Sequence, residues 1–148
     1  MSSAQADTKT FSVPFVERTQ MRYEAKERGY CRLVMPLGPN ANHVDVMYMG
    51  AYTVLAEAAA ANPGISFIDP AKHFPIIKDI AVDFHRMAAS DVSAEFRLSE
   101  DEIAALEADL ARKGSATYVA EIAMLDADGA LAATGKVTVK LLSHKWDG

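Results

Sequence analysis

The chain has 148 residues, of which 50% are hydrophobic, 8% aromatic and 24% charged, as is typical of one globular domain. Fifteen Lys and Arg against twenty Asp and Glu give a formal net charge of −5, which disfavours nucleic acid as a partner. The longest stretch without a charged residue, Leu33–Val44, has twelve residues, whereas crossing a bilayer takes roughly 20 apolar residues, so we expect no membrane insertion. The N-terminus lacks signal-peptide features and Cys31 has no second cysteine to pair with, which predicts a cytoplasmic protein.

The chain divides into a predicted flexible tail over residues 1–10 and one domain over residues 11–148. The residues of the tail are mostly small and polar. A short helix is predicted over Phe11–Thr19. Two strands are predicted over Met21–Glu27 and Tyr30–Leu37, because apolar residues alternate along the second of them.

The most informative segment is Val46–Ala61, in which Glu57 is the only charged residue. Its length and its alanine content predict a helix, and a helix that is apolar or small on every side is a buried one. The sequence Asn62-Pro63-Gly64 is expected to end this helix.

The rest of the chain predicts strands and one surface helix. Ser99 and Glu102 form a capping box that opens an amphipathic helix ending at Gly114. The strands are predicted from alternation over Ile76–Phe84, Val92–Leu98, Thr117–Leu125 and Leu131–Leu142. One buried helix among such strands predicts an α+β fold, with a long curved antiparallel sheet wrapped around the helix.

Glu57 is the first candidate for chemistry, because a carboxylate on a buried helix is costly unless it is hydrogen-bonded or its pKa shifts. Such a residue either serves as a general base or nucleophile, or reaches water or a backbone partner at the helix end. Seven residues earlier, Gly50 leaves the helix start open to a substrate, and its amide is a candidate oxyanion donor. Asn42, eight residues before Gly50, is a candidate for positioning water or a carbonyl group.

The spacing of Asn42, Gly50 and Glu57 resembles that of the hotdog-fold thioesterase superfamily, particularly its phenylacetate-pathway type and an uncharacterised thioesterase-like branch. The run Lys78–Arg86 and the turn Asp126–Gly129 are similar to later family segments, and the resemblance covers roughly residues 20 to 142. It implies a hotdog fold, in which a long central helix is wrapped by a curved antiparallel sheet. It also implies a dimer or tetramer whose sites form between subunits.

The resemblance further implies hydrolysis of an acyl-coenzyme A thioester, with coenzyme A as part of the substrate and no other cofactor. Arg86, Arg112 and Lys113 are then candidate contacts for the coenzyme A phosphates, and His43 and Tyr48 are further candidate substrate contacts. Arg112 and Lys113 are equally explained as cations that complement the dipole of the preceding helix.

Two other functions remain open at this stage. One is a non-catalytic hotdog module that binds acyl thioesters; the other is a hotdog dehydratase that uses His43 and Glu57. Asp45 stands where the family often has Gly, Met49 where it often has His, and Met87 where Pro is common. No metal site is expected, because the sequence has no histidine pair at i, i+4 and no cysteine cluster.

Overall fold

The structure is a computed structural model that describes residues 12–144. In chain order its elements are α1 (Pro14–Glu17), β1 (Arg22–Glu27), β2 (Tyr30–Met35), a 3-10 turn (Gly38–Asn40), α2 (Met49–Ile65), β3 (His73–Phe84), β4 (Val92–Arg97), α3 (Glu100–Lys113), β5 (Ser115–Leu125) and β6 (Leu131–Ser143). The predicted tail over residues 1–10 and the start of the first predicted helix lie outside the described residues.

The six strands form one antiparallel sheet in the order β1-β2-β4-β5-β6-β3, so the mixed α+β class is confirmed. Side chains on β5 alternate between a buried face and an exposed face, as the period-2 pattern predicted. β3 lies at one edge of the sheet and begins at His73, before the predicted Ile76. An edge strand tolerates Pro75, which has no N–H to donate to a neighbour.

The helix α2 packs against β2, β3, β4, β5 and β6, and ten of its seventeen residues are buried. It begins at Met49 rather than at the predicted Val46 because the preceding backbone is bonded elsewhere. Tyr48 has an extended conformation, and its N–H donates to the Asn40 carbonyl at 2.9 Å. Within residues 12–144, no helix is long and apolar enough to cross a membrane.

The predicted end of this helix at Asn62–Gly64 is wrong, since α2 continues through Pro63 to Ile65. Pro63 has no N–H for the Ala59 carbonyl, one turn earlier. That carbonyl instead accepts a hydrogen bond from the Cys31 thiol at 3.5 Å, and the Tyr118 hydroxyl donates to the Ala60 carbonyl at 2.6 Å. The Cys31 thiol of β2 therefore replaces the missing proline N–H, and Tyr118 of β5 adds a bond at the next carbonyl.

The capping box at the start of α3 is confirmed. The Ser99 hydroxyl accepts from the Glu102 N–H and the Glu102 carboxylate accepts from the Ser99 N–H, both at 3.1 Å. The helix ends before Gly114, whose φ of 74° is the left-handed conformation that glycine adopts freely. Its buried side chains are Ile103, Leu106 and Leu110.

Candidate active site

The candidate site lies at the N-terminal end of α2, where two loops meet. The loop before the helix is joined to the loop after β3 by a hydrogen bond from the Met47 N–H to the Ala88 carbonyl, at 2.9 Å. The ring of Phe84, at the end of β3, meets the ring of Tyr52 edge-on with centroids 5.5 Å apart. These contacts place the start of α2 beside the end of β3.

Asn42 shapes the loop that leads into α2. Its side-chain oxygen accepts hydrogen bonds from the Val44 N–H at 2.9 Å and from the Val46 N–H at 3.2 Å. The turn that this oxygen holds places Asp45 at φ 63°, in the left-handed region. The backbone conformation at Asp45 is therefore one that glycine adopts at least cost, which explains the glycine that the family often has there. His43 is exposed on the same loop.

Gly50 is the second residue of α2, and Tyr48 covers it. A Cβ atom at Gly50 would lie 2.6 Å from Cε2 of the Tyr48 ring, so the ring occupies the space that the missing side chain leaves. The Ala51 N–H already donates to the Tyr48 carbonyl at 3.0 Å. The amides of Met49 and Gly50 are the remaining first-turn donors, and the dipole of a seventeen-residue helix favours negative charge near them.

Glu57 is half-buried two turns further along α2. Burial raises the pKa of its carboxyl group above the ordinary value. Among residues 12–144, no hydrogen bond or ion pair to this carboxylate is found. Seven residues at about 1.5 Å of rise each put Glu57 about 10 Å from Gly50 along the helix axis.

The three predicted phosphate contacts do not lie together, because Arg86 is at one end of the sheet and Arg112 and Lys113 are at the other. Arg86 is exposed just after β3, where its N–H donates to the Ala132 carbonyl at 3.1 Å, near the start of α2. Arg112 and Lys113 are exposed at the end of α3, and Arg112 pairs with Asp109 at 3.1 Å. The end of α3 lies at the other end of the sheet. The Gly114 carbonyl accepts from the Ser143 N–H, and Ser143 is paired with His73, the first residue of β3, whereas Arg86 follows the last.

The structure therefore brings Asn42, His43, Tyr48, Gly50 and Arg86 to one end of the fold, with Glu57 two turns along α2. Arg112 and Lys113 lie at the opposite end. A cavity of about 260 Å³ between α3 and the connection from α2 to β3 is at that opposite end too. Its lining contains none of the predicted site residues: Phe67, Ile68, Asp69, Lys72, His73, Glu107, Leu110 and Ala111.

Tyr52, in the first two turns of α2, is a site residue that sequence reasoning missed. It is only 3% exposed, and its hydroxyl has no hydrogen-bond partner. Burial raises the pKa of this hydroxyl and the charge of Asp126 adds to the shift, while the polar backbone of Ala88 beside it, outside hydrogen-bond geometry, lowers the pKa. The signal in the sequence was a polar aromatic residue on a helix predicted to be buried all round. No cluster of metal-ligating side chains is found in the part of the chain that the structure describes.

Comparison with known proteins places the chain in a family. Residues 3–141 match the family described as domain of unknown function DUF4442, and the chain belongs to this family. A Pseudomonas aeruginosa protein of unknown function, described as a probable thioesterase, is 34% identical, with a TM-score of 0.84 over 97% of each chain. No curated protein matches the chain.

More distant solved structures share the fold. A thioesterase from Haemophilus influenzae is 13% identical, with a TM-score of 0.70 over 99% of this chain and 94% of that one. A Chlorobaculum tepidum protein of unknown function is 16% identical, with a TM-score of 0.74 over 94% and 95%. At these identities the likeness concerns the fold alone. Together with the 34% identical protein described as a probable thioesterase, it confirms the predicted resemblance to hotdog thioesterase-like proteins.

Proposed function

We propose that the protein hydrolyses an acyl-coenzyme A thioester to the free acid and coenzyme A, on a hotdog fold in which α2 is the central helix. The observation that carries the proposal is Glu57, a half-buried carboxylate without a bonding partner among the described residues, on the helix whose first-turn amides face one end of the fold. A 34% identical relative described as a probable thioesterase supports the same reaction.

The chemistry follows from these groups. The Gly50 N–H and the helix dipole stabilise the negative charge that develops on the thioester oxygen. Glu57 takes a proton from water as the water oxygen attacks the carbonyl carbon, and the carbon–sulfur bond then breaks to release the thiolate, which accepts a proton. Direct attack by Glu57, with an anhydride that water then cleaves, uses the same residues. The raised pKa makes the Glu57 carboxylate a stronger base.

The distance along α2 favours a site shared by two protomers. About 10 Å of helix separates Gly50 from Glu57, which is long for two groups that act on one carbonyl of a thioester. β3 pairs only with β6 within the described residues and has a free edge of twelve residues. We propose that two copies pair along β3, as a dimer or as half of a tetramer, so that Gly50 of one protomer works with Glu57 of the other. Light scattering should then give a mass of at least twice the 16.0 kDa of the chain.

The decisive experiment is the replacement Glu57→Gln, assayed by release of free thiol from a panel of acyl-coenzyme A substrates. Loss of a base or nucleophile should lower kcat by about 10²–10⁴. Glu121→Gln, at an exposed position of β5, is the matched control and should retain wild-type kcat. Unchanged hydrolysis by Glu57→Gln would remove Glu57 from the mechanism.

Asn42→Ala separates positioning from chemistry. Because the Asn42 oxygen bonds two backbone amides of its own loop, this variant should lose thermal stability as well as part of kcat. A smaller effect on kcat than that of Glu57→Gln is expected.

One observation favours binding without hydrolysis as the second candidate. The Tyr48 ring lies against Gly50, where the thioester would have to approach. A pure binding module should bind acyl-coenzyme A without releasing thiol, in the wild type as in Glu57→Gln.

A further inference from the structure

Four of the eleven large exposed apolar side chains among the described residues lie around the candidate site. Among the described residues, Met87 is 74% exposed, Met49 61%, Tyr48 58% and Phe84 45%. Tyr48 and Met49 begin α2, while Phe84 and Met87 lie on the segment that the Met47–Ala88 hydrogen bond joins to it. We call these four side chains the apolar rim. Apolar surface concentrated in this way marks a place that binds something apolar.

An independent observation at the same place points to a ligand. The Tyr52 hydroxyl is buried without a hydrogen-bond partner, on a ring that packs edge-on with that of Phe84. A buried hydroxyl without a partner destabilises the fold unless water or a ligand satisfies it. The rim therefore borders a region that has both apolar surface and an unused polar group.

The chemistry of the rim fits one occupant. Methionine side chains are flexible and adapt to apolar groups of different shape. Arg86, adjacent to Met87, is an exposed cation that suits the phosphates of coenzyme A. An apolar acyl chain attached to an anionic coenzyme combines these two properties.

We infer that the apolar rim receives the acyl group of the substrate, and that Met49, Phe84 and Met87 make the site select apolar acyl chains over short or polar ones. This inference rests on the proposed function, because it takes an acyl-coenzyme A as the molecule that the site binds. Tyr48 is the inner wall of the rim, since its ring packs directly on the bare Cα of Gly50.

Binding of stable thioethers tests the selectivity without hydrolysis. Octyl-coenzyme A and methyl-coenzyme A differ by seven methylene groups, and burying only two of them should already give about tenfold tighter binding of the octyl compound to the wild type. Met87→Ser and Met49→Ser should each reduce this preference several-fold while leaving methyl-coenzyme A binding unchanged. Val119→Ser, at a half-exposed apolar site on β5, is the control and should keep the wild-type preference.

The outcomes separate the inference from the proposed function. Equal binding of both thioethers by the wild type, or an unchanged preference in both methionine variants, overturns the inference. A lower mass of Met87→Ser in light scattering, with unchanged octyl binding, also overturns it, because the rim is then a subunit contact. Octyl preference that depends on the rim, in a protein that releases no thiol from octanoyl-coenzyme A, supports the inference and refutes only the hydrolase function.

Discussion

The helix α2 lies close to the sheet at Gly135, which makes Gly135→Ala a direct test of the fold. A Cβ atom at Gly135 of β6 would lie 2.9 Å from the Cβ of Ala56 on α2, and Ala56 is 0% exposed. Non-bonded carbon atoms prefer about 3.5–4.0 Å, so the helix and the strand must separate by about 0.6–1.1 Å. Ala56 has no rotatable side chain that could move away, and we expect a cost of about 1–3 kcal/mol, as for other overpacked cores.

Thermal and urea unfolding measure this cost. For a domain of this size each kcal/mol lowers Tm by about 2–4 °C, so Gly135→Ala should lower Tm by about 2–12 °C. Ala56→Gly makes room, and the double variant should be more stable than the two single losses predict, by about 0.5–3 kcal/mol. Gly38→Ala is the control, since a Cβ there meets no atom within 4 Å. A neutral Gly135→Ala, or strictly additive effects, would show that α2 does not lie on β6 in this way.

Four further outcomes are expected. Ser99→Ala removes the hydroxyl that accepts from the Glu102 N–H in the capping box and should cost about 0.5–2 kcal/mol in urea unfolding. Asp45→Gly removes the steric cost of a left-handed backbone conformation at residue 45 and should raise Tm, whereas Asp45→Val increases that cost and should lower Tm. Burial raises the pKa of the Cys31 thiol to about 12, so iodoacetamide at pH 8 should alkylate it only after unfolding, and rapid alkylation of the folded protein would contradict its burial. Burial raises the pKa of Glu57 in the folded protein above its ordinary value of 4.5, so the folded state loses stability relative to the unfolded state as the pH rises from 4.5 through the folded pKa. The Tm of Glu57→Gln should therefore exceed that of the wild type above this pH range and equal it below the range.

Local patterns were sufficient for most of the fold. The alternation on β5 and the capping box at Ser99 involve residues that are close in sequence, so the sequence predicts them directly. The end of α2 was predicted wrongly because its stability is not local. Pro63 leaves the Ala59 carbonyl without its helical donor, and the thiol of Cys31, on a distant strand, donates to that carbonyl instead.

The candidate site likewise has features that depend on one element and features that depend on contacts between elements. The family resemblance placed Gly50 at the start of a helix and Glu57 two turns into it, and both statements depend on one element. The position of the Tyr48 ring over Gly50 and the unpaired hydroxyl of Tyr52 depend on how side chains fill space between elements, and no spacing encodes that.

The distribution of positive charge connects the proposed assembly with the proposed substrate. Arg86 lies near Gly50, while Arg112 and Lys113 lie at the opposite end of the sheet, and α2 alone spans about 25 Å between these ends. One protomer therefore cannot use all three cations on one coenzyme A beside Gly50. A two-fold axis between two β3 edges would pair the strands antiparallel and would bring the Arg112 end of one protomer toward the Gly50 end of the other. The role of Arg112 thus depends on the dimer: if light scattering gives a monomer, Arg112 and Lys113 only complement the dipole of α3, and Arg86 remains the cation beside the acyl site.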